Sequence, residues 1–228
     1  MIHGLLGRVL GRLTGNAKRR SRRSPAVAKL IVVVEGRHDV EFLRRISKIL
    51  HVADRTLLDL GELERAGELI FLPIGGGDIT TWGTALAGLG LAELHLYDRE
   101  VPPETELRQK AAELVNKRPG CRAFVTGMRS LESYLHPACI RAVSGLDLTF
   151  NGDDDVAELV ARACHERDGT EPPWVLLPGR AKKRCRERAK RWLNRAAVDR
   201  MVPSLLEESD LAGEVRVWLA AIAKMLQG

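Results

Sequence analysis

The stretch Leu30-Ile31-Val32-Val33-Val34-Glu35-Gly36 decides the fold of this chain. Its first five residues are apolar and mostly β-branched, and such a run without alternation predicts a strand buried on both faces. Glu35-Gly36 ends the strand. Apolar residues then recur at helical spacing, at Val40, Leu43, Ile46 and Leu50. A buried strand followed at once by an amphipathic helix predicts the first unit of a parallel α/β sheet.

Three further strand candidates follow, and helical patterns separate them. They are Leu69–Leu72, Glu93–Tyr97 and Arg122–Thr126. The helices between them are expected to begin near Asp78 and to span Glu104–Lys117. This alternation predicts right-handed βαβ units, and therefore an α/β fold with a mostly parallel four-stranded sheet flanked by helices.

The rest of the chain is mainly helical in pattern. Asn151–Asp155 is expected to form a loop that leads into a helix capped by one of its Asp residues. Two more helices are expected over Arg180–Arg195 and Asp210–Leu226. We therefore expect a basic N-terminal arm at 1–28, a sheet domain at 29–140, and a helical C-terminal extension at 141–228 that completes the same domain.

Length and composition indicate a globular chain of 228 residues, 45% hydrophobic and 29% charged, which is enough to bury a core. No run of about 18 apolar residues is present, so we expect no membrane span. Four scattered cysteines without a C-x-x-C pair argue against a zinc ribbon. With no visible signal peptide, we expect a cytoplasmic protein with reduced thiols; an organellar transit peptide, which is also Arg-rich and acid-poor, is the alternative.

Positive charge is concentrated in two segments of a chain whose net charge is +6. Residues 1–29 carry eight Lys or Arg and no acid, and residues 178–195 carry nine against the single acid Glu187. Such segments suit a polyanion such as nucleic acid, or else form solvated helix faces. Four arginines of the arm are expected to contact phosphates without reading sequence: Arg19, Arg20, Arg22 and Arg23. The apolar spacing over Ile2–Leu13 predicts a short helix that could instead bind a membrane or a partner helix.

Five acidic residues fall at or near predicted strand ends: Glu35, Asp39, Asp98, Glu100 and Glu132. The carboxyl ends of parallel strands lie at one edge of a sheet, where open α/β sheets bind ligands, so these carboxylates are expected to converge. Without a cation they would repel one another, and several would have to take up protons. An oxygen-only set without His or Cys favours Mg²⁺ or Mn²⁺ over zinc. The alternative is a set of helix caps and surface charges.

Two of these segments resemble the motifs of Toprim domains. Val33-Val34-Glu35-Gly36-Arg37-His38-Asp39 resembles the first motif, an apolar strand, then Glu-Gly, then Asp three residues later. Leu96-Tyr97-Asp98-Arg99-Glu100 resembles the second, normally Asp-x-Asp, with Glu100 in place of the second Asp. The resemblance implies a Toprim-like Rossmannoid domain over residues 29–140.

Further segments resemble the OLD (overcoming lysogenisation defect) branch of the Toprim family. Pro73-Ile74-Gly75-Gly76-Gly77 resembles its Gly-rich turn, and Arg129-Ser130-Leu131-Glu132-Ser133-Tyr134-Leu135 resembles its Arg-Glu-Ile-Glu-Asn-Tyr-Leu segment, with two serines as departures. A later Gly-Lys of the family, with its lysine near the scissile phosphate, has a looser counterpart in Pro178–Lys183, where Arg180 replaces the lysine.

The resemblance implies a metal-dependent nuclease that hydrolyses phosphodiesters with Mg²⁺ or Mn²⁺, two ions in the usual arrangement. Asp98 and Glu100 would be the principal ligands, Asp39 and Glu132 would complete the sites, and Glu35 would be a ligand or the general acid/base. A second set would contact phosphate or support catalysis: Gly75, Gly76, Gly77, Arg129 and Arg180 as phosphate-binding residues, and Lys182 or Lys183 in the role of the family lysine.

The expected partner is nucleic acid, DNA rather than RNA. OLD nucleases join their Toprim domain to an ATPase, whereas this chain has no Gly-Lys-Ser/Thr P-loop. The resemblance therefore also suggests a separately encoded ATPase partner, a role in phage defence, and a homodimer as one possible assembly. Two alternatives stay open: an RNA-processing Toprim nuclease, and a non-catalytic Toprim-like module that binds nucleic acid.

Overall fold

The computed structural model describes residues 28–75 and 79–227 of the chain. Its centre is a sheet of four parallel strands. They are β1 (Leu30–Val34), β2 (Leu69–Pro73), β3 (Ala92–Tyr97) and β4 (Cys121–Val125), in the order β2-β1-β3-β4. The structure thus confirms the predicted α/β fold and all four strands. All five residues of β1 are buried, as its β-branched run predicts.

The helices of the described residues flank this sheet and continue beyond it. They are α1 (Arg37–Ala53), α2 (Leu60–Ala66), α3 (Ile79–Ala85), α4 (Glu104–Asn116), α5 (Pro137–Ser144), α6 (Val156–Arg167), α7 (Gly179–Trp192), α8 (Pro203–Ser209) and α9 (Glu214–Gln227). Short 3₁₀ turns occur at Ala87–Leu89, Leu131–Tyr134, Trp174–Leu176 and Val198–Arg200. In the part of the chain that the structure describes, no helix is long and apolar enough to cross a membrane.

Two apolar clusters cover the two faces of the sheet, because successive side chains of a strand point to opposite faces. Leu30, Val32 and Val34 join the larger cluster, and Ile31 and Val33 join the smaller one. Residues of α1, α6 and α9 also belong to the larger cluster, so the C-terminal helices share a core with β1. Full burial of one such side chain contributes about 1.5–3 kcal/mol. The boundary expected at residue 140 stays a prediction.

The order of the strands reverses direction at β1, since the chain places β2 on one side of it and β3 on the other. Val34 pairs with Leu96 in register. Glu35 and Asp98, which follow these strands, therefore leave the same edge of the sheet. A crevice at such a switch point is where open α/β sheets bind ligands.

Two helix ends differ from the sequence prediction. α7 ends at Trp192 and widens into a π turn at Leu193–Ala197, within which Asn194 Nδ2 donates to the Lys190 carbonyl at 2.9 Å. α9 begins only at Glu214, because the Asp210 carboxylate accepts the backbone N–H groups of the first helical residues, both at 2.9 Å. The predicted cap of α6 is confirmed, since Asp155 accepts the backbone N–H of Glu158 at 2.8 Å.

Several predicted features lie outside the described residues. These are the helix at Ile2–Leu13, the arm residues Arg19, Arg20, Arg22 and Arg23, and the glycines Gly76 and Gly77.

Candidate functional site

Four of the five predicted acidic residues meet at the carboxyl edge of β1 and β3. Burial raises the pKa of Asp98 well above its usual range, and Asp39, Glu35 and Glu132 raise it further. The Glu35 carboxylate accepts the backbone N–H of Asp98 at 3.1 Å. Strand register and the loops after the strands thus bring these carboxylates together.

Asp39 stands in the first turn of α1, three residues after Gly36. Its Oδ2 accepts the Gly36 backbone N–H at 2.7 Å, which fixes the start of the helix. The side chain is buried. Burial and the negative charges of Glu132 and Glu35 raise the pKa of Asp39 to about 7, although Lys190 and the Gly36 hydrogen bond act in the opposite direction.

Asp98 connects the end of β3 to the loop after β4. Its Oδ1 accepts the Leu131 backbone N–H at 3.1 Å, and Leu131 begins the 3₁₀ turn that carries Glu132. This hydrogen bond positions Glu132 beside the end of β3. The segment that resembles the OLD pattern therefore folds back onto the second motif.

Glu132 is almost fully buried, with 1% of its surface exposed, and two groups from the C-terminal helices stabilise its charge. Asn194 Nδ2 donates to Oε1 at 2.6 Å, and Lys190 Nζ lies 3.5 Å from Oε2. Burial disfavours the charged form, but Lys190 and the hydrogen bonds of Asn194 and Ser130 outweigh it and lower the pKa of Glu132. An anionic Glu132 beside Lys190 is therefore part of the fold.

Lys190 and Asn194 are functional candidates that sequence reasoning missed. Glu132 raises the pKa of Lys190 most, against the effect of burial, and Asp98 and Asp39 add to this rise. Lys190 lies in the basic run at 178–195, yet nothing in that run distinguishes it from its neighbours. The π turn that brings Asn194 to Glu132 has no recognisable sequence pattern, and such turns are frequent at functional sites.

Arg108 of α4 was also missed, and it holds Glu35 from the other side. Its Nε donates to Glu35 Oε1 at 2.8 Å and its Nη2 to Oε2 at 3.0 Å, a bidentate pair in which both side chains are largely buried. Glu104, one helical turn earlier, accepts from Nη1 at 2.8 Å. The spacing of Glu104 and Arg108 predicts a helix ion pair but not the contact with Glu35.

Glu100 is placed differently from the other four acids. It is the one non-glycine residue with a positive φ, 55°, within the described residues, and its N–H donates to the Arg129 carbonyl at 2.9 Å. Arg129 Nε lies 3.6 Å from Glu100 Oε2, and its Nη2 lies 3.6 Å from Asp155 Oδ2. The Glu100 carboxylate thus faces Arg129, whose predicted phosphate contact would have to replace these ion pairs.

The remaining predicted residues that the structure describes are already bonded elsewhere or are exposed. The Gly75 N–H donates to the Glu35 carbonyl at 2.9 Å, so it is not free for a phosphate. Lys182 Nζ donates to the Val175 carbonyl at 3.3 Å and lies over Trp174, while Arg180 and Lys183 are exposed. Lys182 precedes Lys190 by about 12 Å along the helix axis. Their proposed roles stay predictions, and Lys190 is the residue of α7 that lies beside Glu132 in the part of the chain that the structure describes.

The donor chemistry of the site suits a hard cation, but a complete metal site is not preformed. Asp39 and Asp98 supply buried oxygen donors. Burial and the neighbouring acids make it unfavourable for these two carboxyl groups to ionise, and a divalent cation would remove that energetic cost. Among residues 28–75 and 79–227, however, no three His, Cys, Asp or Glu side chains are grouped so as to hold a metal ion. Arg108 and Lys190 are the cations that face Glu35 and Glu132 instead.

A buried polar row lies on β3 behind the site. His95 Nδ1 is 2.8 Å from the Tyr97 hydroxyl, its Nε2 is 2.9 Å from Glu93 Oε2, and Arg118 pairs with the same glutamate. Burial lowers the pKa of His95. Burial and the charge of Glu35 raise the pKa of Tyr97, which places the end of this row near the carboxylates.

The structure is similar to solved structures of OLD proteins. The C-terminal region of the Burkholderia pseudomallei OLD protein aligns with a TM-score of 0.52 and 16% identity, over 87% of this chain and 98% of that chain. The C-terminal region of the Xanthomonas campestris pv. campestris OLD protein aligns with a TM-score of 0.43 and 15% identity, over 86% and 98%. No protein-family model and no curated protein matches this chain. The first alignment confirms, for the fold, the resemblance that the motifs predict.

Proposed function

Starting from the fold shared with the C-terminal region of an OLD protein, we propose that this protein is a divalent-metal-dependent nuclease that hydrolyses phosphodiester bonds in DNA. One observation carries the proposal. Asp39 and Asp98 are both buried at the switch point of the sheet. Burial and the charges of the neighbouring acids, Glu35 and Glu132 among them, raise the pKa of each. Helix caps and surface charges do not require carboxyl groups to be buried close to one another at the energetic cost that these raised pKa values indicate.

Mg²⁺ or Mn²⁺, in one or two sites, is the proposed cofactor. Asp39 and Asp98 would hold it, with a further oxygen from Glu35 or Glu132 once either gives up its present partner, and with Glu100 as an outer ligand. When bound, the cation would activate a water and neutralise charge on the phosphate.

The other residues of the site have roles that follow from their contacts. Lys190 would donate to the phosphate oxygens, because it is a cation already held among the carboxylates. Arg108 would orient the Glu35 carboxylate through its bidentate contact, so that Glu35 can accept a proton as general base or bind the cation. Asn194 would keep Glu132 in place.

A nicking assay with supercoiled plasmid tests the proposal. The wild-type protein should nick DNA with Mg²⁺ or Mn²⁺ and not in EDTA, and Asp98→Asn and Glu35→Gln should each reduce the rate at least about 100-fold, as loss of one essential group does. Glu106→Gln is the matched control, because Glu106 is an exposed acid of α4. Equal nicking by wild type, Asp98→Asn and Glu35→Gln would refute the site and indicate a contaminant.

A non-catalytic nucleic-acid-binding module is the second candidate. It is favoured by the pairing of Glu35 with Arg108 and of Glu132 with Asn194, since these contacts satisfy the carboxylates without a metal. Binding of DNA with no cleavage under any divalent ion would support it. Labelled DNA and RNA tested side by side would separate the DNA nuclease from an RNA-processing enzyme.

The wider context is proposed from the same likeness of fold. It comprises a cytoplasmic location, a separately encoded ATPase partner, a homodimer and a role in phage defence. Co-purification from the native host and the measured mass of the protein in solution would test the partner and the dimer.

A further inference from the structure

We propose that the outer strip of α7, formed by Arg180, Lys183, Arg184 and Arg191, holds the phosphate backbone of a DNA duplex on its way to the carboxylate site. The inference rests on the proposed function and deepens it, because it names the surface that takes the substrate. It concerns sequence-independent binding and not the chemical step.

The four cations share one side of the helix. At 3.6 residues per turn they fall within an arc of about 100°, and from Arg180 to Arg191 they span about 16 Å along the axis. All four side chains are exposed. Over this length of the duplex axis, one strand carries about five phosphates, at 3.4 Å of rise each.

Internal ion pairs do not explain these charges. No ion pair or side-chain hydrogen bond is formed by any of the four within the described residues, whereas Arg186 on the neighbouring side of the helix pairs with Asp155. Arg180 and Arg184 are like charges one turn apart, which is unfavourable for a helix by a few tenths of a kcal/mol. An anionic ligand would relieve this repulsion.

The helix also fixes the strip relative to the carboxylates. Lys190, from the adjacent side of α7, contacts Glu132, and Glu187, within the strip, lies 3.5 Å from His38 at the start of α1. A backbone bound along the strip therefore passes beside the end of the sheet where Asp39 and Asp98 lie.

Charge and side-chain composition favour nucleic acid over a membrane surface. The apolar residues of α7, among them Cys185 and Trp192, pack against the core on the opposite face. A helix that lies on a membrane needs an apolar face to insert, and the strip has none. Four exposed cations on one side of the helix match a sequence-independent phosphate contact.

The test measures DNA binding apart from cleavage, by fluorescence anisotropy of a labelled duplex in EDTA over a series of salt concentrations. The strip variant is R180A/K183A/R184A/R191A, and the matched control, K48A/R55A/R65A/K224A, removes four exposed cations elsewhere. We expect the strip variant to lose at least about tenfold in affinity and the salt slope to fall by about 3–4, close to 0.9 per phosphate contact. The control should stay within about twofold.

Three outcomes would overturn the proposal: unchanged binding and slope in the strip variant, an equal loss in both variants, or wild-type binding to vesicles of anionic phospholipid but not to the duplex. Circular dichroism checks that both variants fold. If the fourfold variant does not, each single substitution should lower the slope by about one. Binding through the strip without nicking by the wild type would leave the strip standing and reject the nuclease. Nicking by the wild type, together with unaltered DNA binding by the strip variant, would reject the strip and leave the proposed nuclease standing.

Discussion

Lys190 Nζ lies 3.5 Å from Glu132 Oε2, and the same lysine acts on the ionisation of Asp39 and Asp98. One cation from the C-terminal part of the chain thus balances carboxylates from three separate places: the first turn of α1, the loop after β3 and the 3₁₀ turn at Leu131–Tyr134. A divalent ion bound at these carboxylates would lie close to the Lys190 ammonium and would compete with it for Glu132.

Lys190→Met should destabilise the metal-free protein by about 3–5 kcal/mol, because removing one partner of a buried ion pair leaves its carboxylates uncompensated. Urea unfolding in EDTA measures the change. The double variant Lys190→Met/Glu132→Gln should recover part of it. Strictly additive losses in this cycle would show that the two residues do not interact.

Arg108→Gln should destabilise the protein by about 2–4 kcal/mol, since among the described residues the Asp98 N–H is then the one remaining hydrogen-bond donor to the Glu35 carboxylate. If the carboxylate also needs Arg108 for orientation, nicking should fall more in Arg108→Gln than in Glu104→Gln, which removes only the outer contact of the arginine. Equal rates in both variants would remove Arg108 from the positioning role. Thermal unfolding and nicking assays on the same preparations supply both values.

The stability of the metal-free protein should depend on Asp39 between about pH 4 and pH 7. The pKa of Asp39 rises from 3.8 to about 7 on folding, so in this range the folded state holds a proton that the unfolded state has released. This contribution is complete below pH 4 and is lost as the pH rises through 7. Asp39→Asn should therefore be more stable than wild type at pH 8 in EDTA, on the order of 1–3 kcal/mol.

The comparison of Asp39→Asn with wild type reports on Asp39 together with Asp98, because the charge of Asp39 also raises the pKa of Asp98, whereas Glu132 has a lowered pKa and contributes with the opposite sign. Mg²⁺ at pH 8 should raise the melting temperature of wild type and not that of Asp39→Asn. Identical stability profiles from pH 5 to pH 8 would contradict the assignment.

Glu100→Gly should be more stable than Glu100→Ala by about 1 kcal/mol, because the position has a φ of 55° that glycine adopts without cost. Both variants remove the carboxylate. If Glu100 is a metal ligand, they should lose nicking activity to the same extent despite their different stabilities. Chemical denaturation and nicking separate the backbone effect from the side-chain effect.

Glu93→Gln should destabilise the fold by about 2–4 kcal/mol without changing the affinity for divalent ions. Glu93 is almost fully buried and accepts from Arg118 and His95, so its loss leaves an arginine and a histidine short of a partner. Calorimetric Mg²⁺ titration at a temperature where the variant is folded gives the affinity. A tenfold weaker affinity would mean that the row on β3 does support the metal site.

The sequence was sufficient to predict the four strands and the acids that follow them, because both predictions depend on short stretches of adjacent residues. A five-residue β-branched run specifies a buried strand, and the acid after it must then leave at the carboxyl edge. The cations were not predictable in the same way. Arg108 and Lys190 reach Glu35 and Glu132 through helix packing, and the basic run contains nine candidates for a single inward position. The π turn that brings Asn194 to Glu132 has no sequence pattern from which it could be predicted.

The chain order of the site has a consequence for synthesis. Glu35, Asp39, Asp98 and Glu132 all leave the ribosome before Lys190, so a nascent chain has its acids before it has the lysine that balances them. Sheet formation at that stage would bury Asp39, Asp98 and Glu132 before Lys190 is available, since Arg108 offsets the charge of Glu35 alone. Protonation or a bound cation would have to act as a temporary substitute for the lysine. Once α7 has left the ribosome, Lys190 can replace that substitute beside Glu132.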